Sequence, residues 1–288
     1  YDEQVKWKRQ NVIDSFERIG KINVPIYHPT ATSDMIFNYR NKMDFSFGAL
    51  RWFTSEEVNS DDVFEKKELF LGLHAPGRFD KIVDISLCLI QNATANTIFK
   101  LIKNKAIATE LKAYHPYNRE GFLRGLVIRH SVKKNEFMLM LITNEVQSEN
   151  EEAFLNWFAN DLQKIEPKIT NLIHALNSAP NDANIDSIKI LNGPGYITEN
   201  ILGVDFRISP LSFFQTNSYQ LDKFIGKIAE YAEIKSDDVV WDLYCGTGSI
   251  TLPIAQKSKK IYGFELAESS VLDAKSNAEL NKINNAEF

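Results

Sequence analysis

Cysteine is scarce in this chain: Cys88 and Cys245 are the only two in 288 residues. Two cysteines in a chain of this size do not make a disulfide framework, and a reducing cytoplasm is the expected setting. No stretch reaches the roughly 18 consecutive apolar residues needed to span a bilayer, so no membrane partner is expected. The first residues, Tyr1 to Gln10, are polar and charged, which excludes a secretory signal there. Positive charge is not in excess, with 33 Lys and Arg against 38 Asp and Glu and a net charge of −5. A protein that grips RNA through phosphates should be basic where it touches them, so this balance counts weakly against nucleic acid; patches matter more than totals. There is no internal repeat and no low-complexity tract.

What is present is an ordinary globular composition, 44% hydrophobic and 25% charged, in a length that suits two domains. Acidic residues crowd one segment, Glu56, Glu57, Asp61, Asp62, Glu65 and Glu68, which reads as a solvated loop or edge. Arg124, Arg129, Lys133 and Lys134 gather positive charge, and a solvated hairpin is the plainer reading of them.

The spacing of Val5, Val12, Phe16 and Ile19 predicts a helix over 2–19, capped by Asp2 and ended by Gly20. Pro25 and Pro29 mark a linker. From Tyr39 to Phe47 the pattern alternates, with Tyr39, Asn41, Met43, Phe45 and Phe47 on one face and Arg40, Lys42, Asp44 and Ser46 on the other. That is a half-buried strand of an antiparallel sheet. Its Arg40/Lys42 face either meets phosphates or is an ordinary wet strand face. Leu123–Ser131 and Glu136–Thr143 flank the turn-like Lys133-Lys134-Asn135 and read as a hairpin. Phe154, Leu155, Trp157, Phe158 and Leu162 mark a helix closed off by Pro167. Short strands come next at Ile188–Leu191, Tyr196–Leu202 and Val204–Ser209.

Near residue 210 the pattern changes. Asn217 is placed to cap a helix carrying Leu221, Phe224, Ile228 and Tyr231. Val239–Tyr244 reads as a short buried strand, then come a glycine loop, a helix from about Ser249, a strand at Lys260–Leu266 and a helix to about Leu280. This is the start of a parallel doubly wound sheet. The chain ends where a third strand should begin, so the domain reads as cut. The expected fold class is therefore a mixed α+β domain followed by the first part of a Rossmann-like α/β domain. The expected division is an N-terminal helix over 1–22, a central domain over 23–209 and the start of the α/β domain over 210–288.

The glycine loop is Asp242-Leu-Tyr-Cys-Gly246-Thr-Gly248, between a strand and a helix, where glycine lets the backbone turn tightly and approach a ligand. Glu265 ends the next strand, and a carboxylate there accepts the hydroxyls of a ribose. A dinucleotide would call for a third glycine where Thr251 stands, and Asp242 would face its pyrophosphate with like charge. S-adenosylmethionine, with a partly cationic amino acid end and no phosphate, suits the loop better. A glycine-bearing turn without a ligand is the remaining alternative.

Asp242-Leu-Tyr-Cys-Gly-Thr-Gly, with Ser212-Phe-Phe-Gln-Thr-Asn217 ahead of it, resembles the uracil-5 RNA methyltransferase family, which acts on ribosomal and transfer RNA. Tyr39-Arg-Asn-Lys-Met-Asp-Phe and Leu123-Arg-Gly-Leu-Val-Ile-Arg resemble it too, and so does the opening stretch Tyr1 to Ile22. The resemblance implies S-adenosylmethionine as cofactor, RNA as partner, a monomer and a cytoplasmic enzyme. Gln215 would contact the cofactor near the target base, Tyr244 would line the pocket with Asp242, Gly246 and Gly248, and Glu265 would hold the ribose. Ser249 stands where an asparagine often contacts the cofactor. Phe213 stands where an aromatic stacks on the flipped base, or else packs in the core. Asp84-Ile-Ser-Leu-Cys88 resembles the family's fourth cluster cysteine, so the resemblance implies Cys88 as a ligand of a [4Fe-4S] cluster only with further cysteines upstream; a buried structural cysteine is the alternative. The implied mechanism is covalent: a cysteine thiolate adds to carbon six of uracil, and a carboxylate later removes the proton at carbon five. The resemblance places both in stretches these residues do not contain, and Cys245, inside the cofactor loop, reads as a packing residue. A non-catalytic RNA-binding or scaffold protein with a remnant cofactor fold is the competing reading, and a nicotinamide-dependent oxidoreductase the third.

Overall fold

A computed structural model of the chain describes residues 1–59, 69–180 and 184–288. Asp61, Asp62, Glu65 and Glu68 of the acidic segment lie outside the described residues. The chain begins with α1 (Asp2–Asp14), which runs into a π-helical turn at Ser15–Ile19 and stops at Gly20. Tyr1, not Asp2, is the N-cap; Asp2 lies in the first turn, where its charge favours the helix N-terminus all the same. The helical spacing is real, but α1 buries no residue.

Next come β1 (Lys42–Gly48), α2 (Ser55–Val58), β2 (Phe70–His74), β3 (Ile82–Asp84), α3 (Ala93–Ala108), β4 (Leu123–Ser131), β5 (Glu136–Thr143), α4 (Glu149–Asn160), α5 (Leu162–Ile165), β6 (Ile169–Leu176) and β7 (Ser187–Asn192). The seven strands form one sheet in the order β3-β2-β1-β4-β5-β6-β7. Every neighbouring pair is antiparallel except β5 and β6, which run parallel because α4 and α5 carry the chain back between them. Local signals set the helices. Asn92 accepts from the Thr94 N–H at 2.8 Å to start α3, and Ser148 with Glu151 makes a reciprocal cap that starts α4.

One sheet face buries Met43, Phe45 and Leu126 against Ile98, Phe99 and Ile102 of α3 and Phe154 and Phe158 of α4. The other face buries Val127, Met138, Met140 and Ile173 against side chains from downstream elements, Phe214, Leu221 and Ile225 among them. β8 (Ile197–Ile201) and β9 (Val204–Ile208) form a separate hairpin there, contributing Ile201 and Phe206. With both faces covered, all nine residues of β4 are buried. The expectation of a solvated basic hairpin is therefore corrected at Arg124 and Arg129. Arg124 donates to the carbonyls of Asn177 and Ala179 at 2.8 and 2.7 Å and lies over the Tyr114 ring, while Arg129 reaches the 210–212 loop.

α6 (Ser218–Tyr231), β10 (Val239–Leu243), α7 (Thr251–Ala255), β11 (Lys260–Phe264), α8 (Glu268–Leu280) and β12 (Ala286–Glu287) complete the chain. β10, β11 and β12 make a parallel sheet in that order, so the third strand does begin at the end of the chain. Two expectations are corrected. α7 starts at Thr251 and is only five residues long. β10 is not buried: Val239, Trp241 and Leu243 are 56%, 68% and 61% exposed, because β10 is the edge strand and only its Val240 side is packed. Asn217 does precede α6, but its side chain makes no cap hydrogen bond.

α8 is fixed by polar contacts. Asn281 accepts the Asp205 N–H at 2.8 Å and donates to the Asp205 carbonyl at 2.6 Å, and Asn277 does the same at Arg207 at 2.8 and 3.3 Å. One turn earlier, Asp273 accepts the hydroxyls of Ser209 and Ser212. Three side chains spaced four apart on the helix thus run along the outer edge of β9 and its continuation. Among the described residues no helix is long and apolar enough to cross a membrane.

Candidate functional site

The loop after β10 is built by three left-handed residues, Tyr244, Gly246 and Gly248, with φ of 66°, 55° and 81°. Glycine relieves the conformation at two of them; Tyr244 adopts it as a non-glycine residue and is 91% exposed. The Cys245 N–H donates to the Phe264 carbonyl at 3.0 Å, which ties the loop to β11, and the Gly248 N–H donates to the Cys245 carbonyl at 3.0 Å. Gly263 must be glycine: a Cβ there would lie 2.6 Å from the Phe288 ring and 2.8 Å from Cys245 Sγ. A Cβ on Gly246, by contrast, would meet nothing within 4 Å, so that side of the loop faces open space.

Glu265 lies just after β11 and faces the loop. Its Oε2 accepts the Gly246 N–H at 3.0 Å, and its Oε1 accepts those of Leu266 and Ala267 at 2.8 and 2.9 Å. These backbone donors, Ala267 first, hold the carboxyl below its ordinary range despite some opposing desolvation. Asp242 is the opposite case. Burial pushes its carboxyl up, and the Thr251 hydroxyl, donating at 2.5 Å, resists the shift. Thr251 fills the position of a third glycine with a fully buried side chain. The Cys245 thiol is pushed up to about 11, first by burial and then by the charges of Asp242 and Glu265. It is buried and unreactive at neutral pH, as its packing role requires.

The Ser212–Asn217 loop is positioned separately. Phe214 enters the core beside Phe206, with ring centroids 6.1 Å apart, while Phe213 is 66% exposed. The Asn41 side chain donates to the Gln215 carbonyl and the Ser218 hydroxyl, both at 2.8 Å, and the Asn41 N–H donates to the Thr216 carbonyl at 2.9 Å. Arg129 donates to the carbonyls of Pro210, at 3.2 Å, and Ser212. Burial lowers its guanidinium to about 10. Asn41, Arg129, Asp273 and Thr251 are thus positioning residues that sequence reasoning did not pick out, although Asn41 and Arg129 lie inside two of the family motifs.

Asp242, Gly246 and Glu265 come together in one cluster, flanked by the exposed Tyr244 and by Gly248 and Ser249 before α7. Gln215 and Phe213 lie on the second loop. Arg40 pairs in a bridge with Asn217 and donates from Nε to the Lys42 carbonyl at 2.9 Å; the Lys42 ammonium lies 3.0 Å from Asp44. Cys88 is half-buried, its backbone bonded on both sides to the Asn96 amide. Among the described residues no group of three His, Cys, Asp or Glu could hold a metal ion, so Cys88 stands without co-ligands there.

The parallel sheet, the glycine loop and the acid at the end of the second strand define a Rossmann-like unit joined to a mixed-sheet unit. Residues 189–288 match the family model described as tRNA (Uracil-5-)-methyltransferase. The whole chain is 34% identical to an uncharacterized RNA methyltransferase of Chlorobaculum tepidum, of which it covers 59%, and 33% identical to one of Bacteroides thetaiotaomicron, of which it covers 63%. The chain thus spans about three fifths of these relatives. In fold it is similar over its full length to a Pyrococcus abyssi tRNA (uracil-54, C5)-methyltransferase solved with S-adenosyl-L-homocysteine, with a TM-score of 0.70, 24% identity and 61% of that chain covered. By these matches the whole chain is similar to RNA methyltransferases, and its residues 189–288 to the uracil-5 family.

Proposed function

We propose that the protein methylates carbon five of a uridine in ribosomal or transfer RNA, with S-adenosylmethionine held by the loop between β10 and α7. The observation that carries this reading is the Glu265 carboxylate, fixed by three backbone N–H donors beside a loop whose Gly246 side is open. A carboxylate has about four acceptor positions, so three donors leave capacity for a ribose hydroxyl. The residues present fit the cofactor, which supplies a methyl group on a sulfonium. Glu265 would bind the ribose, and Gly246 and Gly248 would let the backbone approach. The exposed Tyr244 would wall the pocket, with Asp242 and Ser249 below it and Gln215 toward the target. Phe213 offers a free ring to a base taken out of its stack, and Arg40 and Lys42 are the candidate phosphate contacts.

A dinucleotide is disfavoured, since Thr251 occupies the place of the third glycine and Asp242 adds a carboxylate beneath the loop. Neither cysteine suits the attack on carbon six. Cys245 is buried with a raised pKa, and Cys88 lies on the segment before α3. The covalent step is therefore assigned to a thiolate other than these two. A single Cys88 thiolate does not hold an iron–sulfur cluster, and no step is derived from one.

The test is calorimetry with S-adenosylmethionine, S-adenosylhomocysteine and a nicotinamide dinucleotide, paired with tritiated methyl incorporation into unmodified RNA by the full-length protein. Binding of the first two ligands alone, with label at carbon five of uracil, is expected. Dinucleotide binding, or label on another atom, overturns the reading.

A further inference from the structure

At the β2–β3 end of the large sheet, away from the glycine loop, a cleft of about 550 Å³ is walled by Phe47, Ile82 and Tyr114 and rimmed by Arg78 and Phe79. The stretch Ala75-Pro-Gly-Arg-Phe-Asp80 builds the rim. Pro76 and Gly77 turn the chain, with Gly77 at φ +71° and the Arg78 N–H on the Ala75 carbonyl at 3.0 Å. The buried Asp80 accepts the Arg78 guanidinium through both oxygens, at 2.8 and 2.7 Å, and the Tyr117 hydroxyl at 3.0 Å. Tyr117 comes from the loop between α3 and β4, so this carboxylate locks two loops together. The Arg78 fork holds the Asp80 carboxyl well below the usual carboxylate range, and Asp80 in turn raises the Tyr117 hydroxyl, so the lock keeps its charges through neutral pH.

The lock displays two aromatic rings to solvent. Phe79 is 72% and Tyr117 63% exposed, with centroids 6.2 Å apart and planes 60° from parallel. Neither ring is part of the core, and the Tyr117 ring, tied through its hydroxyl to Asp80, has already lost freedom that binding would otherwise cost. A third ring stands on the adjoining segment: Trp52, whose backbone N–H donates to the Ile82 carbonyl at 2.8 Å, carries the Lys81 ammonium 5.7 Å from its ring centre. Aromatic faces interleaved with cations suit unpaired nucleotides, because every base has a π face to stack and every phosphate a charge to meet. A duplex would present only phosphates and groove edges.

We propose that this rim is a second RNA contact, a platform on which unpaired nucleotides of the substrate stack against Phe79 and Tyr117 while Arg78 and Lys81 meet their phosphates. Asp80 is a positioning residue. The proposal rests on the reading of the protein as an RNA methyltransferase.

The experiment is fluorescence anisotropy of the full-length protein with a single-stranded oligoribonucleotide and with a duplex of the same length. Phe79→Ala should weaken single-strand binding by on the order of 5- to 150-fold, the range for losing one stacked base. It should leave duplex binding and S-adenosylmethionine affinity nearly unchanged. Photocross-linking of 5-bromouridine RNA to the unaltered protein should mark a peptide carrying Phe79 or Tyr117. Wild-type affinity in both Phe79→Ala and Tyr117→Ala, with folding confirmed by circular dichroism, overturns the platform, as does an equal loss on single strand and duplex. If the unaltered protein methylates RNA while the variants bind as it does, the platform alone falls. If the unaltered protein neither binds nor methylates RNA, the functional reading falls with it.

Discussion

Thr251 donates its hydroxyl to the half-buried carboxylate of Asp242 across 2.5 Å, and this bond ties the first turn of α7 to the end of β10 beneath the glycine loop. Thr251→Val keeps the shape and removes the donor, leaving a buried acceptor without its partner. A loss of about 1–3 kcal/mol in urea unfolding is expected. The pH dependence has a definite sign. A carboxyl raised in the folded state contributes stability below its unfolded pKa and loses it as pH rises, so the variant should lose more stability than the parent as pH rises above the ordinary carboxyl value. Equal slopes would show that the bond does not tune Asp242.

Glu265→Ala in the full-length protein should weaken S-adenosylmethionine binding by about 1.5–3 kcal/mol, the scale of hydrogen bonds to a charged group. Because backbone donors lower its pKa, the carboxylate stays charged on mild acidification. Affinity should therefore hold between about pH 8 and 5 and fall only when pH drops through the depressed folded value. Calorimetry across that range checks both points.

Cys245 should resist alkylation. With its thiol at about 11, on the order of one molecule in ten thousand is thiolate at pH 7. Mass spectrometry of the native protein after brief iodoacetamide treatment should find the label on the more accessible Cys88, with Cys245 labelled only on unfolding.

His130 and His174 are both lowered by burial, and neighbouring lysines, Lys168 and Lys189, push in the same direction, partly opposed at His130 by its contact with Asn135. Each is less basic in the folded state than when unfolded. Stability should thus fall as pH drops below about 6.5, the ordinary histidine value. His174→Asn should flatten that part of the profile; an unchanged acid limb would place its origin elsewhere.

The hairpin of β4 and β5 was legible to the residue, because its alternation and turn chemistry are local. So were the buried face of β1 and the glycine loop with its distant acid. What the sequence hid depends on residues far apart. β4 is buried on both faces because Phe206 and Phe214, well downstream, cover the second one. Arg124 and Arg129 look like surface charge, yet they hold carbonyls of loops more than fifty residues away. β10 reads as a core strand from its composition, but at the sheet edge one of its faces meets water. Asp273, Asn277 and Asn281 look like a wet helical stripe, since periodicity reports polarity and not what the polar groups touch.

That stripe has a further consequence. An asparagine amide sets an N–H donor beside a carbonyl acceptor, as a peptide unit does, so Asn277 and Asn281 present to β9 what the backbone of a neighbouring strand would. The outer margin of the β8–β9 hairpin is sealed by a helix acting as a counterfeit strand, and a foreign chain finds no vacant ladder there. Because each amide matches one particular residue, Asp205 or Arg207, α8 can neither rotate nor slide without breaking the match. The helix that starts just after Glu265 is thereby keyed, through Asp273, to the loop carrying Phe213 and Gln215, so the Glu265 carboxylate and that loop share a single mechanical reference.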